Sequence, residues 1–224
     1  MLSTPDVKCD YTRIYEPSED SFLLLDSLEK DKCWLNEKFQ KSVSVVCEIG
    51  SGSGIVTTFM MKHGLPNQNS IYLPTDINPW ATEAMLATSR NNHCEEGFLA
   101  PLRMDLTSGI REGSVDLLVF NPPYVPAPSV PSIPSDDCPQ DKWLDLALEG
   151  GEDGMIVTTK LLNKLHDVLS HRGIAYILFC ARNHPEIVAQ GMRSRGWVAE
   201  IVEHRKAGWE VLSVYKFYRQ TKQL

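Results

Sequence analysis

The chain lacks a run of apolar residues long enough to cross a bilayer, a pair of cysteines at C-x-x-C spacing and any surplus of basic residues. The first absence leaves no membrane-spanning segment to expect, and residues Met1 to Asp10 carry no basic stretch followed by an apolar one that would read as a secretory leader. The six cysteines (Cys9, Cys33, Cys47, Cys94, Cys138, Cys180) are scattered, with Cys47 and Cys180 inside apolar runs, so they read as reduced packing residues of a cytosolic or nuclear protein. No H-x-x-x-H or H-E-x-x-H pattern sets two of the six histidines on one helical face, and no metal site is expected. Against 29 acidic residues there are only 22 basic ones, a net charge of −7 that repels phosphate backbones. Stable DNA binding is therefore disfavoured.

What is present is a 224-residue chain, 42% hydrophobic and 23% charged, which is enough for one sizeable core. A single domain over residues 1–224 is expected, with 1–42 as an N-terminal extension and helix, 43–224 as the main body, and 122–140 as a proline-rich loop. After Pro17, Ser18 can cap a helix whose apolar residues Phe22, Leu23, Leu25 and Leu28 recur at helical spacing, with Glu19 and Asp20 in its first turn. Val43 to Ile49 is a β-branched run suited to a strand buried on both faces, and Val115 to Phe120 is the next clearest strand. Further strands are expected at 70–75, 98–104, 173–180, 197–202 and 210–217, and helices at 54–62, 79–91, 154–169 and 185–195. Strands alternating with helices imply βαβ units, a parallel sheet and helices on both of its faces. No helix separates the last two strands, so the final one should run antiparallel to its neighbour. The segment Pro122 to Pro139 holds half of the 14 prolines and reads as a long semi-rigid loop.

Three motifs carry chemistry. Glu48-Ile49-Gly50-Ser51-Gly52-Ser53-Gly54 joins the first strand to a helix, where glycines let the backbone approach a ligand closely. A dinucleotide fingerprint would want Gly or Ala at position 55, which is Ile55, so NAD and FAD are weakened. An acid at the strand end before such a turn suits the methionine part of S-adenosylmethionine, Glu48 balancing charge near its ammonium and sulfonium. Asp76 ends the second strand where a carboxylate can accept from both ribose hydroxyls; the lesser reading is a helix cap preceding Pro79, and both can hold. Asp105 ends the third strand and could take the adenine amino group, with Leu106 offering a backbone N–H; an Asp capping a loop is the equal alternative. Asn121-Pro122-Pro123-Tyr124 follows the strand Val115 to Phe120 directly. An amide nitrogen is a poor nucleophile because its lone pair is delocalised, and accepting both of its hydrogens frees that pair. The Asn121 side-chain oxygen and the Pro122 carbonyl are two acceptors, held in aim by consecutive prolines without N–H groups, while Tyr124 can stack on a flat group. A further cluster, Tyr15-Glu16-Pro17-Ser18-Glu19-Asp20-Ser21, sets acids before the first helix; it reads either as a capped, solvated helix start or as a cover for a cationic sulfonium.

With the glycine turn and Asn121-Pro122-Pro123-Tyr124 together, the chain resembles the class I, HemK-type glutamine methyltransferases of translation release factors. Tyr15-Glu16-Pro17-Ser18-Glu19-Asp20-Ser21-Phe22, Thr75-Asp76-Ile77-Asn78-Pro79 and Ala207-Gly208-Trp209-Glu210-Val211-Leu212-Ser213-Val214 look like its short eukaryotic form, and the likeness spans nearly the whole chain. It implies a Rossmann-like class I S-adenosylmethionine-dependent methyltransferase fold, with a seven-stranded, mostly parallel sheet and an antiparallel last strand. It implies N5-methylation of the glutamine in the Gly-Gly-Gln loop of the class I release factor, Asn121 and Pro122 holding the amide. Family cofactor positions fall on Ser21, Glu48, Gly50, Asp76, Asp105, Leu106 and Asn121, and the implied cofactor set also takes in Tyr15, Glu16, Pro17, Glu19, Asp20, Gly52, Gly54 and Ile77. The helical recognition domain of bacterial members has no counterpart in the roughly forty residues before the first strand. The eukaryotic form is similar in needing a small zinc-binding activator subunit, and its release factor works with a GTPase partner. If Phe98 to Met104 is a sheet edge, its unpaired backbone invites strand addition by that subunit, and Pro101 fits an edge. Rival readings are an adenine-N6 nucleic-acid methyltransferase, which the charge opposes; a protein lysine methyltransferase, whose substrate must first lose its charge; and a non-enzymatic binding module, which intact Glu48 and Asn121 oppose.

Overall fold

A computed structural model of the chain describes residues 1–40, 42–95, 97–135 and 141–220. Helix α1 (Glu19–Lys30) buries Leu23, Leu24, Leu25 and Leu28 and carries Glu19 and Asp20 in its first turn, where the helix dipole favours acids. Ser18 stands at its N-cap position without a side-chain capping bond, contrary to expectation, because its hydroxyl is engaged with Tyr15. Helix α2 (Lys32–Phe39) follows at once and buries Leu35 and Phe39; its apolar pattern is too sparse to read locally. β1 (Ser44–Ile49) passes through the glycine turn into α3 (Ile55–His63), which ends on left-handed Gly64.

Two of the expected strands are each divided by a proline. β2 (Ser70–Tyr72) and β3 (Thr75–Asp76) flank Pro74; β4 (Phe98–Leu99) and β5 (Leu102–Arg103) flank Pro101, with α4 (Ala81–Asn91) between the two pairs. Proline donates no ladder hydrogen bond, but the neighbouring amides carry the pairing across the break: Ala100 N–H to Tyr72 O and Leu102 N–H to Pro74 O, both at 2.9 Å. β6 (Val115–Phe120) is buried at every position. The proline-rich stretch holds β7 (Val125–Pro126), which pairs in parallel with β8 (Glu149–Gly151); α5 (Asp141–Leu148) leads into β8, and residues 136–140 lie outside the described residues. Then come α6 (Ile156–Val168), β9 (Leu169–Cys180), α7 (Pro185–Ser194), β10 (Val198–Ala207) and β11 (Glu210–Tyr218). β10 runs five residues beyond its expected end, because Glu203-His204-Arg205-Lys206 on an outer strand shows no apolar alternation. The last loop thereby shrinks to Gly208 and Trp209.

The main sheet runs β10-β11-β9-β6-β1-β2-β4, with β3 and β5 continuing the last strands of that row. β9, β6, β1 and β2 pair in parallel, and β11 is antiparallel to both neighbours, as the helix-free connection requires. One apolar cluster joins α1, α2 and α3 to one face of the sheet, and a second joins α6 and α7 to the other. At the amino ends of the central strands, buried Asp116 accepts from Arg172 Nε (2.9 Å), Ser170 Oγ (2.7 Å) and Val45 N–H (3.0 Å), tying β6, β9 and β1. The opposite, carboxyl ends of β1, β3, β5 and β6 open together, and the site lies there.

Cys9, Cys33, Cys47, Cys94 and Cys180 are free thiols, and Cys138 lies outside the described residues. Burial pushes the Cys47 thiol up to about 12. Among the described residues no helix is long and apolar enough to cross a membrane, and no group of His, Cys, Asp and Glu side chains is arranged to hold a metal.

Candidate active site

A cavity of about 270 Å³ opens over those strand ends. The glycine turn forms its floor: Gly50 N–H and Ser51 N–H donate to Thr75 O at 2.8 and 3.1 Å, and Gly52 N–H donates to Asp76 Oδ2 at 2.8 Å. Gly50, Gly52 and Gly54 all have positive φ. At Gly54 a Cβ would also stand 2.8 Å from Met85 Cα, so this glycine serves the packing of α3 on α4 rather than the cavity. Asp76 has two tasks within the fold, since its other oxygen accepts from Asn78 N–H at 2.8 Å. Burial raises its pKa against those backbone donors. Glu48 is buried, and one of its oxygens accepts from Thr57 N–H at 2.8 Å and from the Thr57 hydroxyl, so the carboxyl also caps the first turn of α3. Burial pushes it up to about 8, the two Thr57 bonds pulling the other way.

Asn121 leaves the end of β6 beside this floor. Its Nδ2 donates to Asp20 Oδ2 at 3.0 Å, which sets the amide's orientation because a carboxylate only accepts; Oδ1 is buried and has no partner. Asp20, itself buried, also accepts from Ser21 N–H (2.6 Å) and from the Ser21 hydroxyl (3.2 Å). Pro122 is buried on the cavity wall. Tyr124 donates its phenol hydrogen to Glu210 Oε2 at 3.1 Å, and its carbonyl accepts from Asn183 Nδ2 at 2.9 Å. Burial, then the charges of Asp20 and Glu210, hold the Tyr124 phenol well above its ordinary value; burial and Asp20 do the same to Tyr15. Behind the loop, a side chain at Gly154 would run into the Tyr124 carbonyl. The arrangement offers one aimed, unsatisfied oxygen at the end of a buried strand, beside a glycine floor and two acids.

The model of the family described as Methyltransferase small domain matches residues 21–130. The eRF1 methyltransferase catalytic subunit mtq2 of Schizosaccharomyces pombe is 36% identical over 98% of this chain and 96% of its own length. The chain belongs to the Mtq2/HEMK2 family of methyltransferases. Methyltransferase HEMK2 of Homo sapiens is 36% identical over 92% of this chain and 90% of its own. Among solved structures, the E. cuniculi Mtq2-Trm112 complex, described as responsible for methylation of the eRF1 translation termination factor, matches with a TM-score of 0.65 and 26% identity over 93% of this chain and 99% of that one.

Of the expected site residues, Tyr15, Asp20, Ser21, Glu48, Gly50, Gly52, Asp76, Ile77, Asp105, Leu106, Asn121, Pro122 and Tyr124 all line the cavity. Glu16, Pro17, Glu19 and Gly54 do not. The acidic cluster splits at the start of α1: Asp20 and Ser21 turn inward, whereas Glu19 is exposed and pairs with Arg205 at 3.4 Å, and Glu16 is exposed. The stacking platform expected of Tyr124 is tethered through its hydroxyl to the C-terminal hairpin. Sequence reasoning missed Trp143, Leu146 and Lys160, which close the cavity from α5 and α6, and it missed Glu210. The apolar spacing of Trp143, Leu144, Ala147 and Leu148 could have marked α5, but the preceding prolines obscure it.

Proposed function

We propose that this chain is the catalytic subunit of a heterodimer that transfers a methyl group from S-adenosylmethionine to the side-chain amide nitrogen of the glutamine in the Gly-Gly-Gln loop of the class I translation release factor. The observation that carries this reading is the Asn121 amide, oriented by Asp20 so that its unpartnered oxygen is left to accept. A buried acceptor without a partner is costly, so a ligand N–H is the natural occupant. The names and near full-length coverage of the fission yeast and human relatives support the same assignment.

The residues present fit the cofactor. Gly50 and Gly52 leave room for close approach, Asp76 closes the turn where a diol would be gripped, Ile77 and Leu106 give apolar walls, and Asp20, with Glu48 once it ionises, supplies negative charge toward a cation. When bound, S-adenosylmethionine supplies a methyl group made electrophilic by its positive sulfur. Asn121 Oδ1 and the Pro122 carbonyl accept the two hydrogens of the glutamine NH2 and localise its lone pair, and positioning of that nitrogen contributes much of the rate. No strong base is needed, because the proton leaves after transfer.

The small zinc-binding activator subunit would add a strand along β4–β5, which stands at the end of the sheet opposite β10. Phe98, 75% exposed on that edge, is the apolar group such a subunit would cover. The release factor would be presented with its GTPase partner, in the cytoplasm and, for any nuclear substrate, in the nucleus. The test is mass spectrometry of release factor incubated with the heterodimer and labelled cofactor, beside a histone peptide and single-stranded DNA. Label on the Gly-Gly-Gln glutamine is expected; label on lysine or adenine alone overturns the reading. Asn121→Ala should lower turnover by about a hundredfold or more while cofactor affinity stays near wild type, and unchanged turnover would sink the mechanism.

A further inference from the structure

Trp209 is 97% exposed, the most solvent-open large hydrophobic side chain of the described residues after the N-terminal methionine. It sits in the two-residue turn between β10 and β11, beside Gly208 at positive φ. This turn is not a loose tip. Its strands pair from Val198↔Tyr218 to Ala207↔Glu210, with one register shift between Ile201 and Glu203, and β10 is clamped to α1 by Arg205 with Glu19 and Asp26 and by Lys30 with Glu203 (3.0 Å) and the Val202 carbonyl (2.7 Å). The next residue, Glu210, accepts from the Tyr124 hydroxyl at 3.1 Å, and Tyr124 is part of the cavity wall. A large apolar ring therefore stands in water on a well-paired hairpin, one residue from a group that touches the wall of the active site.

Holding an indole in water gives the fold nothing, whereas a tryptophan on a fixed backbone is the side chain best suited to anchor a protein partner, since it has only two side-chain torsions to order when it is covered. The rest of the cavity wall points to the same kind of visitor: Ile133 and Leu148, both on that wall, are 57% and 39% exposed. A small substrate would be swallowed by the cavity and leave these groups wet.

We propose that Trp209 is a docking point for the protein substrate, covered by the segment flanking the residue to be methylated, and that Glu210 is the positioning residue that couples this contact to Tyr124. The inference rests on the protein-substrate reading above. It adds a specificity determinant outside the glycine turn and the Asn121 motif.

The experiment compares the wild-type heterodimer with its Trp209→Ala and Trp209→Phe variants, using intact release factor as substrate. The expected result is a KM for release factor raised about tenfold by Trp209→Ala and less by Trp209→Phe, with kcat at saturation, cofactor Kd and melting temperature near wild type. An unchanged KM overturns docking. A Trp209→Ala variant that loses the activator subunit, or that turns a self-associated wild type into single heterodimers without a change in KM, assigns the ring to those contacts and also overturns it. If the wild type fails to methylate release factor at all, the substrate assignment falls first, and the docking proposal falls with it. For the coupling, Glu210→Ala and Tyr124→Phe are combined: the double variant should be no slower than the worse single one, and additive losses overturn the coupling.

Discussion

Glu48 sits in the molecule as a carboxyl withdrawn from water, held near 8 by burial and by the nearby Asp76 charge against the pull of Thr57. An acid whose pKa is higher folded than unfolded binds more protons in the folded chain, so stability declines as pH rises from about 4.5 to about 8. Glu48→Gln keeps an acceptor for Thr57 and removes the charge. Its melting temperature should therefore fall less than wild type's over that window, with the gain at the alkaline end on the order of a few kcal/mol. Superimposable pH profiles would show that Glu48 carries no such penalty. The same group would favour a cationic ligand once ionised, so its buried state connects fold stability to the proposed cofactor chemistry. At this scale Asp20 does for Asn121 what Thr57 does for Glu48: a neighbour fixes which atom is left for the ligand.

Among the elements, β6 bears the site at its carboxyl end and the Asp116 network at its amino end. Burial alone would raise the Asp116 pKa, but the bonds from Arg172, Ser170 and Val45 outweigh it and hold it below the ordinary carboxylate value. The associated stability is present above the unfolded value near 3.8 and is lost as pH falls through the folded one. Arg172→Ala leaves this buried carboxylate without its ion partner and removes a guanidinium packed over the Phe39 ring. It should cost about 3 kcal/mol in denaturant unfolding, with cofactor affinity unaltered because the pair lies at the far end of the strand. A loss of binding without a loss of stability would contradict the separation. Elements with a strong period, such as α1, β1, β6 and α6, were legible in sequence. α2, α5 and the outer half of β10 were not, because short or charged stretches owe their form to what they pack against.

The whole molecule presents two sheet edges of different character. β10 is long and carries Glu200, Glu203, Arg205 and Lys206, charges that discourage pairing with another chain; β4–β5 is short, divided by Pro101, and exposes Phe98. Phe98→Asp should weaken association with the proposed activator subunit by about tenfold or more in a calorimetric titration, while Ile201→Asp on the far edge should leave it unchanged. The reverse pattern would move the partner to β10.

Sequence by itself determined the layered α/β architecture, the glycine floor after β1, and Asp76, Asp105 and Asn121 at strand ends, because each follows directly on an extended apolar run, and β1 and β6 are runs that can only be buried. Tertiary structure alone decided which acid of the Tyr15–Ser21 cluster reaches the site. It also decided that Asp20 turns the Asn121 amide from 101 residues away, and that Glu210 holds Tyr124 from 86 away. Those partners meet only when the β10–β11 hairpin joins the sheet beside β9 and α1 packs across it, and no local pattern encodes a hydrogen bond between segments that far apart.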